Sequence, residues 1–187
     1  MKYLHTLIIS LSIILAGCGS SNTPEVIANS KPVRVEQRGD SITNQAGQIL
    51  ADYLPAGSDV INLGVDATIA QETNIPVFQL GTIYTFSYGA NECMRNISPE
   101  SYRLSLNDIL HRGRGFALVL EAPWRILASQ CNPNIELYRD VVVNLGKQYN
   151  VPVVIENDQS HIGDELHIPE AHTRARAQLL AAAILKL

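Results

Sequence analysis

The sequence predicts an α/β fold, one parallel sheet covered by helices on both faces. Two observations predict it. From Val33 onward, short apolar runs alternate with longer amphipathic ones, the pattern of successive right-handed βαβ units. The run Phe116–Leu120 is apolar throughout, as a strand buried on both faces must be, rather than alternating. A chain of 187 residues, 46% hydrophobic and 17% charged, fits a single domain with a substantial core.

Each element has its own signal. Val33–Glu36 is the first strand. Asn44–Tyr53 reads as a helix, with Ile49 and Leu50 apolar and Pro55 beyond its end. Asp59–Leu63 is the second strand. Ile75–Leu80 is the third, although the apolar signal runs on through Phe86 and leaves its end open. Ser98 followed by Pro99 is a helix start, cap then first-turn proline, and Gly113 and Gly115 stop that helix after His111. Phe116–Leu120 is the fourth strand, Asn134–Tyr149 a helix, Val151–Ile155 the fifth strand and Pro169–Leu187 a closing Ala/Leu-rich helix. The link from Gly64 to Asn74 is short for a crossover helix, so one layer is expected to be thin.

The beginning of the chain has a different character. Lys2 precedes an apolar run from Leu7 to Leu15, broken by Ser10 and Ser12 and followed by Ala16-Gly17-Cys18. The run is too short to span a bilayer, which takes about 20 apolar residues, and has the length of a signal-peptide core. The small residues before Cys18 resemble a bacterial lipobox, which implies cleavage before Cys18 and lipidation of its thiol. The alternative is an ordinary signal peptide cut nearby. Gly19 to Lys31 is rich in Ser, Asn and Pro without apolar period and reads as a tether. The expected organisation is a signal peptide over 1–17, a lipid-attached tether over 18–31 and a folded domain over 32–187. Gly19 rather than Asp after the cysteine resembles outer-membrane lipoproteins. That places the domain in the cell envelope, facing the periplasm. A net charge of -4 lacks the basic footprint of a nucleic-acid binder.

In an open parallel sheet, ligands sit beyond the carboxyl ends of the strands. Gly39-Asp40-Ser41 follows the first strand and Asn62-Leu63-Gly64 ends the second. Gly89-Ala90-Asn91-Glu92 follows the third, and Asp164-Glu165-Leu166-His167 precedes the last helix. These residue types have a joint chemistry. A serine hydroxyl becomes a nucleophile when a neighbouring base takes its proton, and His167 titrates in the right range. Asp164 can hold the imidazole tautomer. The N–H groups of Ser41 and Gly64 and the Asn91 amide can stabilise the oxyanion.

The motifs GDSIT, NLG, GANE and DELH, in this order and on these strand ends, resemble the four blocks of the SGNH (GDSL-like) serine hydrolases. The likeness covers about residues 33 to 187. It implies a flavodoxin-like three-layer fold with a parallel sheet of about five strands. It implies Ser41, Asp164 and His167 as the catalytic residues, and Ser41, Gly64 and Asn91 as the oxyanion hole. The Gly-x-Ser-x-Gly elbow of other α/β-hydrolases is absent from the sequence.

Three features depart from the family pattern. Glu92 stands where the family usually has Asp, a change expected to alter only loop bonding. Arg38 stands where small or apolar residues are usual; it is either a surface residue or a partner for a substrate carboxylate, and the former is favoured. Asp158 and His161 repeat the Asp-x-x-His spacing six residues upstream, so His161 is an alternative base. With Cys18 lipidated, Cys93 and Cys131 remain as an even pair. In a flavodoxin-like order the strands before them are neighbours, and an oxidising envelope permits a bridge; two buried free thiols are the other reading. Trp124 either lines the substrate cleft or packs in the core. His5, His111, His161, His167 and His172 form no ligand set, and neither a metal nor another cofactor is expected.

The resemblance implies ester hydrolysis through an acyl-enzyme on Ser41. The substrate class is an acetylated glycan, a lipid or a small acyl ester, and the absence of a large lid favours small acyl groups. An O-acyltransferase using the same residues, and a non-catalytic envelope binding protein, are the two alternatives.

Overall fold

A computed structural model describes residues 30–125, 131, 134–156 and 170–187. Its strands are β1 (Arg34–Gly39), β2 (Asp59–Asn62), β3 (Thr82–Ser87), β4 (Ala117–Glu121) and β5 (Val153–Val154). Its helices are α1 (Ser41–Ala46), α2 (Ala90–Met94), α3 (Pro99–Arg112), α4 (Ile135–Tyr149) and α5 (Glu170–Ile184), with 3-10 turns at Ile49–Tyr53 and Ala70–Glu72. The strands form one sheet in the order β2-β1-β3-β4-β5, every pair parallel. This is the flavodoxin-like order expected, and the chain direction across the sheet reverses between β1 and β3. Ligand crevices form at such a switch point, beyond the carboxyl ends of the two strands.

Side-chain alternation along the strands builds two separate cores. Tyr84 and Phe86 of β3 and Leu118 and Leu120 of β4 meet Tyr102, Leu106 and Leu110 of α3 and Tyr138, Val142 and Leu145 of α4. On the opposite face, Val35, Ile83 and Val119 meet Leu50, Leu54, Leu180 and Ile184. Burying each such aliphatic side chain is worth about 1.5–3 kcal/mol. The thin layer expected between β2 and β3 is present: the described link there has only the 3-10 turn Ala70–Glu72.

Several boundaries differ from the sequence expectation. The third strand is Thr82–Ser87, and residues 75–80 lie outside the sheet. Pro76 has no N–H for a ladder. Of this segment Phe78 turns inward, stacking on Phe116 with ring centroids 5.3 Å apart, while Val77 and Leu80 stay 87% and 88% exposed. The helix expected over Asn44–Tyr53 begins earlier, at Ser41, and breaks at Gly47 into α1 and a 3-10 turn. Strand β1 extends to Gly39, and β5 is only two residues long. The cap at Ser98 is as expected, its Oγ accepting the Ser101 N–H at 3.1 Å. Helix α2 had no clear signal in the sequence.

Candidate active site

Three of the motif residues lie together at the carboxyl edge of the sheet. Ser41 is the first residue of α1, directly after β1, and is 8% exposed. Asp40 caps that helix, its Oδ1 accepting the Ile42 N–H at 3.0 Å. The Asp40 N–H in turn donates to Ser87 O of β3 at 3.3 Å, so the serine turn is tied to the neighbouring strand. Burial pushes the Asp40 carboxyl up to about 7; the Ile42 N–H opposes that shift, and the charges of Glu92 and Glu121 add to it.

The second motif packs directly on the first. Asn62 Nδ2 donates to Thr43 O at 2.7 Å and to Gly47 O at 2.8 Å, joining the end of β2 to both ends of α1. A Cβ at Gly64 would lie 2.4 Å from Asn44 N, so only glycine lets these backbones come so close. The Gly64 N–H donates to Asn62 Oδ1 at 2.9 Å. That single donor is thus engaged within its own motif.

Asn91 lies in the first turn of α2, just after β3, and is 8% exposed. Its Nδ2 donates to Thr68 O at 3.1 Å, which uses one of the two amide N–H groups. Gly89 precedes it at φ 119°, a conformation open to glycine. Glu92 is 1% exposed and works on the backbone around Asn91. Its two oxygens accept the Ala70 N–H at 2.6 Å and the Gly89 N–H at 2.8 Å. The second contact is the return bond of a capping box. Burial pushes the Glu92 carboxyl above its ordinary value against the pull of those N–H groups.

Cys93 and Cys131 form a disulfide with Cα atoms 5.3 Å apart, so the bridge reading holds over the free-thiol one. It fastens α2 to the chain beyond β4. Trp124 is 3% exposed and packs with Ile42 and Ala90, under both the serine turn and the Asn91 turn. It is a wedge between those turns rather than a cleft lining. Arg38 is half-buried, pairs with Glu36 at 2.6 Å and donates to Asn74 O at 2.5 Å.

Asp164, His167, the alternative base His161 and Cys18 lie outside the described residues. Among the described residues no group of His, Cys, Asp and Glu could hold a metal ion, and no helix is long and apolar enough to cross a membrane.

No protein-family model matches the chain, and no curated protein does. Solved structures do match. A member of the lipolytic protein G-D-S-L family from Veillonella parvula superposes with TM-score 0.67 at 14% identity, over 83% of this chain and 97% of its own. The M. smegmatis aryl esterase gives TM-score 0.70 at 15% identity, over 83% and 99%. A lipase/acylhydrolase from Enterococcus faecalis gives 0.67 at 18%, over 82% and 96%. The chain has the G-D-S-L hydrolase fold.

Ser41 and Asn91 lie at the starts of the helices that follow the adjacent strands β1 and β3, at the switch point of this sheet. Sequence reasoning missed two residues close to them. Glu121 ends the otherwise apolar β4 and is 3% exposed; Arg176 of α5 is 2% exposed. The signals were present: a lone carboxylate closing an apolar run, and an arginine inside an Ala/Leu-rich helix. Either alone reads as a surface charge.

Proposed function

We propose that this chain is a lipid-anchored cell-envelope serine esterase that works through an acyl-enzyme on Ser41. What supports this reading is the placement of Ser41, Gly64 and Asn91 just beyond the carboxyl ends of β1, β2 and β3, in a fold shared with solved lipolytic proteins. The similar structures include an aryl esterase and a lipase/acylhydrolase, which supports an ester as the bond attacked.

In this mechanism His167, oriented by Asp164, takes the Ser41 proton as Oγ attacks the acyl carbon. The Ser41 N–H and the free amide N–H of Asn91 receive the oxyanion. The Gly64 N–H joins them by exchanging Asn62 for the substrate oxygen. The intermediate collapses, the C–O bond to the alcohol breaks, and His167 returns the proton to the leaving oxygen. Water, deprotonated by His167, then cleaves the acyl-serine ester and releases the acid. The positive end of α1 points at the serine turn and favours the developing negative charge. Small acyl groups, acetyl esters of envelope glycans among them, are the proposed substrates. Cys18 is the proposed attachment point to the outer membrane, with the domain in the periplasm.

A fluorophosphonate probe tests the chemistry. Labelling of the folded wild-type chain, lost in Ser41→Ala, is the expected result; an unlabelled wild-type chain overturns the reading. His167→Ala is expected to lower turnover by orders of magnitude with the melting temperature kept. If His161→Ala does this instead, the base is His161. For the anchor, Cys18→Ser is expected to move the protein from the membrane fraction to the soluble one.

A further inference from the structure

The face of the sheet covered by α5 changes character at its carboxyl end. Lower down it is aliphatic, built on Val35, Ile83 and Val119. Toward the site the same alternation brings in Gln37, Thr85 and Glu121, each at most 3% exposed. Against this polar strip α5 sets Arg176. Its Nε lies 2.6 Å from Glu121 Oε2 and its Nη2 2.7 Å from Glu121 Oε1, a two-pronged contact with both side chains nearly inaccessible. Burial pushes the Glu121 carboxyl up and the adjoining guanidinium opposes it. Such a pair is weak support for stability, because desolvating two charges offsets their attraction. A reason for its presence lies in its third contact.

Arg176 Nη2 also donates to Thr43 Oγ1 at 3.4 Å. Thr43 is two residues past Ser41 in α1 and is 1% exposed. Its side chain fills the space beside Gly39, where a Cβ would meet Thr43 Oγ1 at 2.1 Å. Thr43 is therefore wedged between the last residue of β1 and a guanidinium held from the other side by β4. Helix α1 is only six residues long, too short to hold its own direction, so its orientation must be set by what grips it. Asn62 grips its carbonyls and Arg176 grips its buried side.

We propose that Arg176, clamped by Glu121, is a positioning residue that holds Thr43 and thereby fixes the turn presenting Ser41. This rests on the reading of Ser41 as nucleophile. The planar guanidinium suits the role: Nη2 donates to Glu121 Oε1 and reaches the Thr43 hydroxyl, while Nε lies beside Glu121 Oε2.

The decisive variant is the double substitution Glu121→Met with Arg176→Met, made in the full chain. It removes both charges together, and replacing a buried ion pair by apolar residues of similar volume is often harmless to stability. Turnover of p-nitrophenyl acetate, the rate of fluorophosphonate labelling and the melting temperature are measured for each protein. The expected result is a melting temperature near wild type, kcat and labelling rate down about 10- to 100-fold as for a misplaced reacting group, and KM within about twofold of wild type. Arg176→Lys recovers part of the lost kcat. Thr43→Val, which leaves the ion pair in place, is expected to reproduce a smaller kcat loss, whereas Thr43→Ser keeps wild-type turnover. A folded double variant with wild-type kcat, or an unimpaired Thr43→Val, overturns the proposal. If the wild-type chain itself is not labelled at Ser41, the esterase reading fails and takes this proposal with it. If the wild type is labelled and the variants are labelled equally fast, only the role of Arg176 falls.

Discussion

The two turns at the active edge start alike and are held differently. Both follow adjacent parallel strands and both open short helices, Ser41–Ala46 and Ala90–Met94. The serine turn is held by hydrogen bonds and charge: Asp40 caps it, Asn62 grips its carbonyls, and Arg176 reaches Thr43. The asparagine turn is held by a disulfide at Cys93 and by the Glu92 carboxylate on two backbone N–H groups. On the proposed esterase reading, the difference matches what each turn would do. A donor to an oxyanion gains most from being immobile, because reorganisation during the reaction cancels its benefit. A nucleophile must move toward the acyl carbon and back, which a covalent brace on its own helix would hinder.

The comparison breaks most visibly at the disulfide. Cys93 and Cys131 are 38 residues apart, and a bridge over such a loop stabilises by about 4 kcal/mol in the chain-entropy model. Replacing both by Ser is expected to lower stability by about 3–4 kcal/mol. Hydrogen exchange should show the protection lost first at residues 90–94 and only later at 41–46. Loss that begins in 41–46 would mean the bridge braces the serine turn, contrary to the contrast drawn here.

The next effect is on turnover. Asn91→Ala is expected to cost about 10²–10³-fold in kcat, the size seen when one oxyanion donor is removed. KM should change little. An equal loss confined to KM would make Asn91 a substrate-binding group instead. Gly64→Ala acts on the other turn: its Cβ would come 2.4 Å from Asn44 N, a backbone atom that cannot step aside. A loss of about 1–3 kcal/mol is expected from the overpacking. The serine turn should shift with it, so labelling of Ser41 slows as the melting temperature drops. A lowered melting temperature with labelling unchanged would mean that the serine turn does not follow the displaced backbone at Gly64.

These contrasts also mark what the sequence disclosed. The places of Ser41, Gly64 and Asn91 just beyond β1, β2 and β3 were legible from the motifs at the strand ends, whereas the cap of Asp40 and the bonds of Asn62 to α1 were not foreseen. The parallel sheet followed from the alternation of apolar runs, and its flavodoxin-like order from the family resemblance that the motifs carry. The third strand was misplaced by seven residues at its start because Ile75–Leu80 is as apolar as a strand, and only Pro76 and the inward turn of Phe78 distinguish it. Arg176 was illegible because its partners, Glu121 and Thr43, are 55 and 133 residues away in the chain. The same holds for Glu92, whose local bond to Gly89 could be read from spacing but whose bond to Ala70 could not.

A pH-dependent effect concerns Asp40 and bears on why the serine turn tolerates a buried carboxyl. Its folded-state value is raised from 3.8 to about 7, chiefly by burial. Between those two values the folded chain keeps a proton that the unfolded chain has released, so stability falls as pH rises through that window. Above about pH 7 the loss is complete, and below about pH 4 it vanishes. Glu92 and Glu121 are raised as well and push in the same direction. Asp40→Asn keeps an oxygen to accept the Ile42 N–H but cannot ionise. The variant should therefore show a shallower fall in melting temperature between pH 4.5 and pH 7.5 than the wild type, and the two should be closest at the acidic end. A fall as steep as wild type would assign the titration to Glu92 or Glu121 instead. The proton would then belong to the asparagine turn or to the Arg176 clamp, and the electrostatic weakness of the edge would lie outside the nucleophile's own cap.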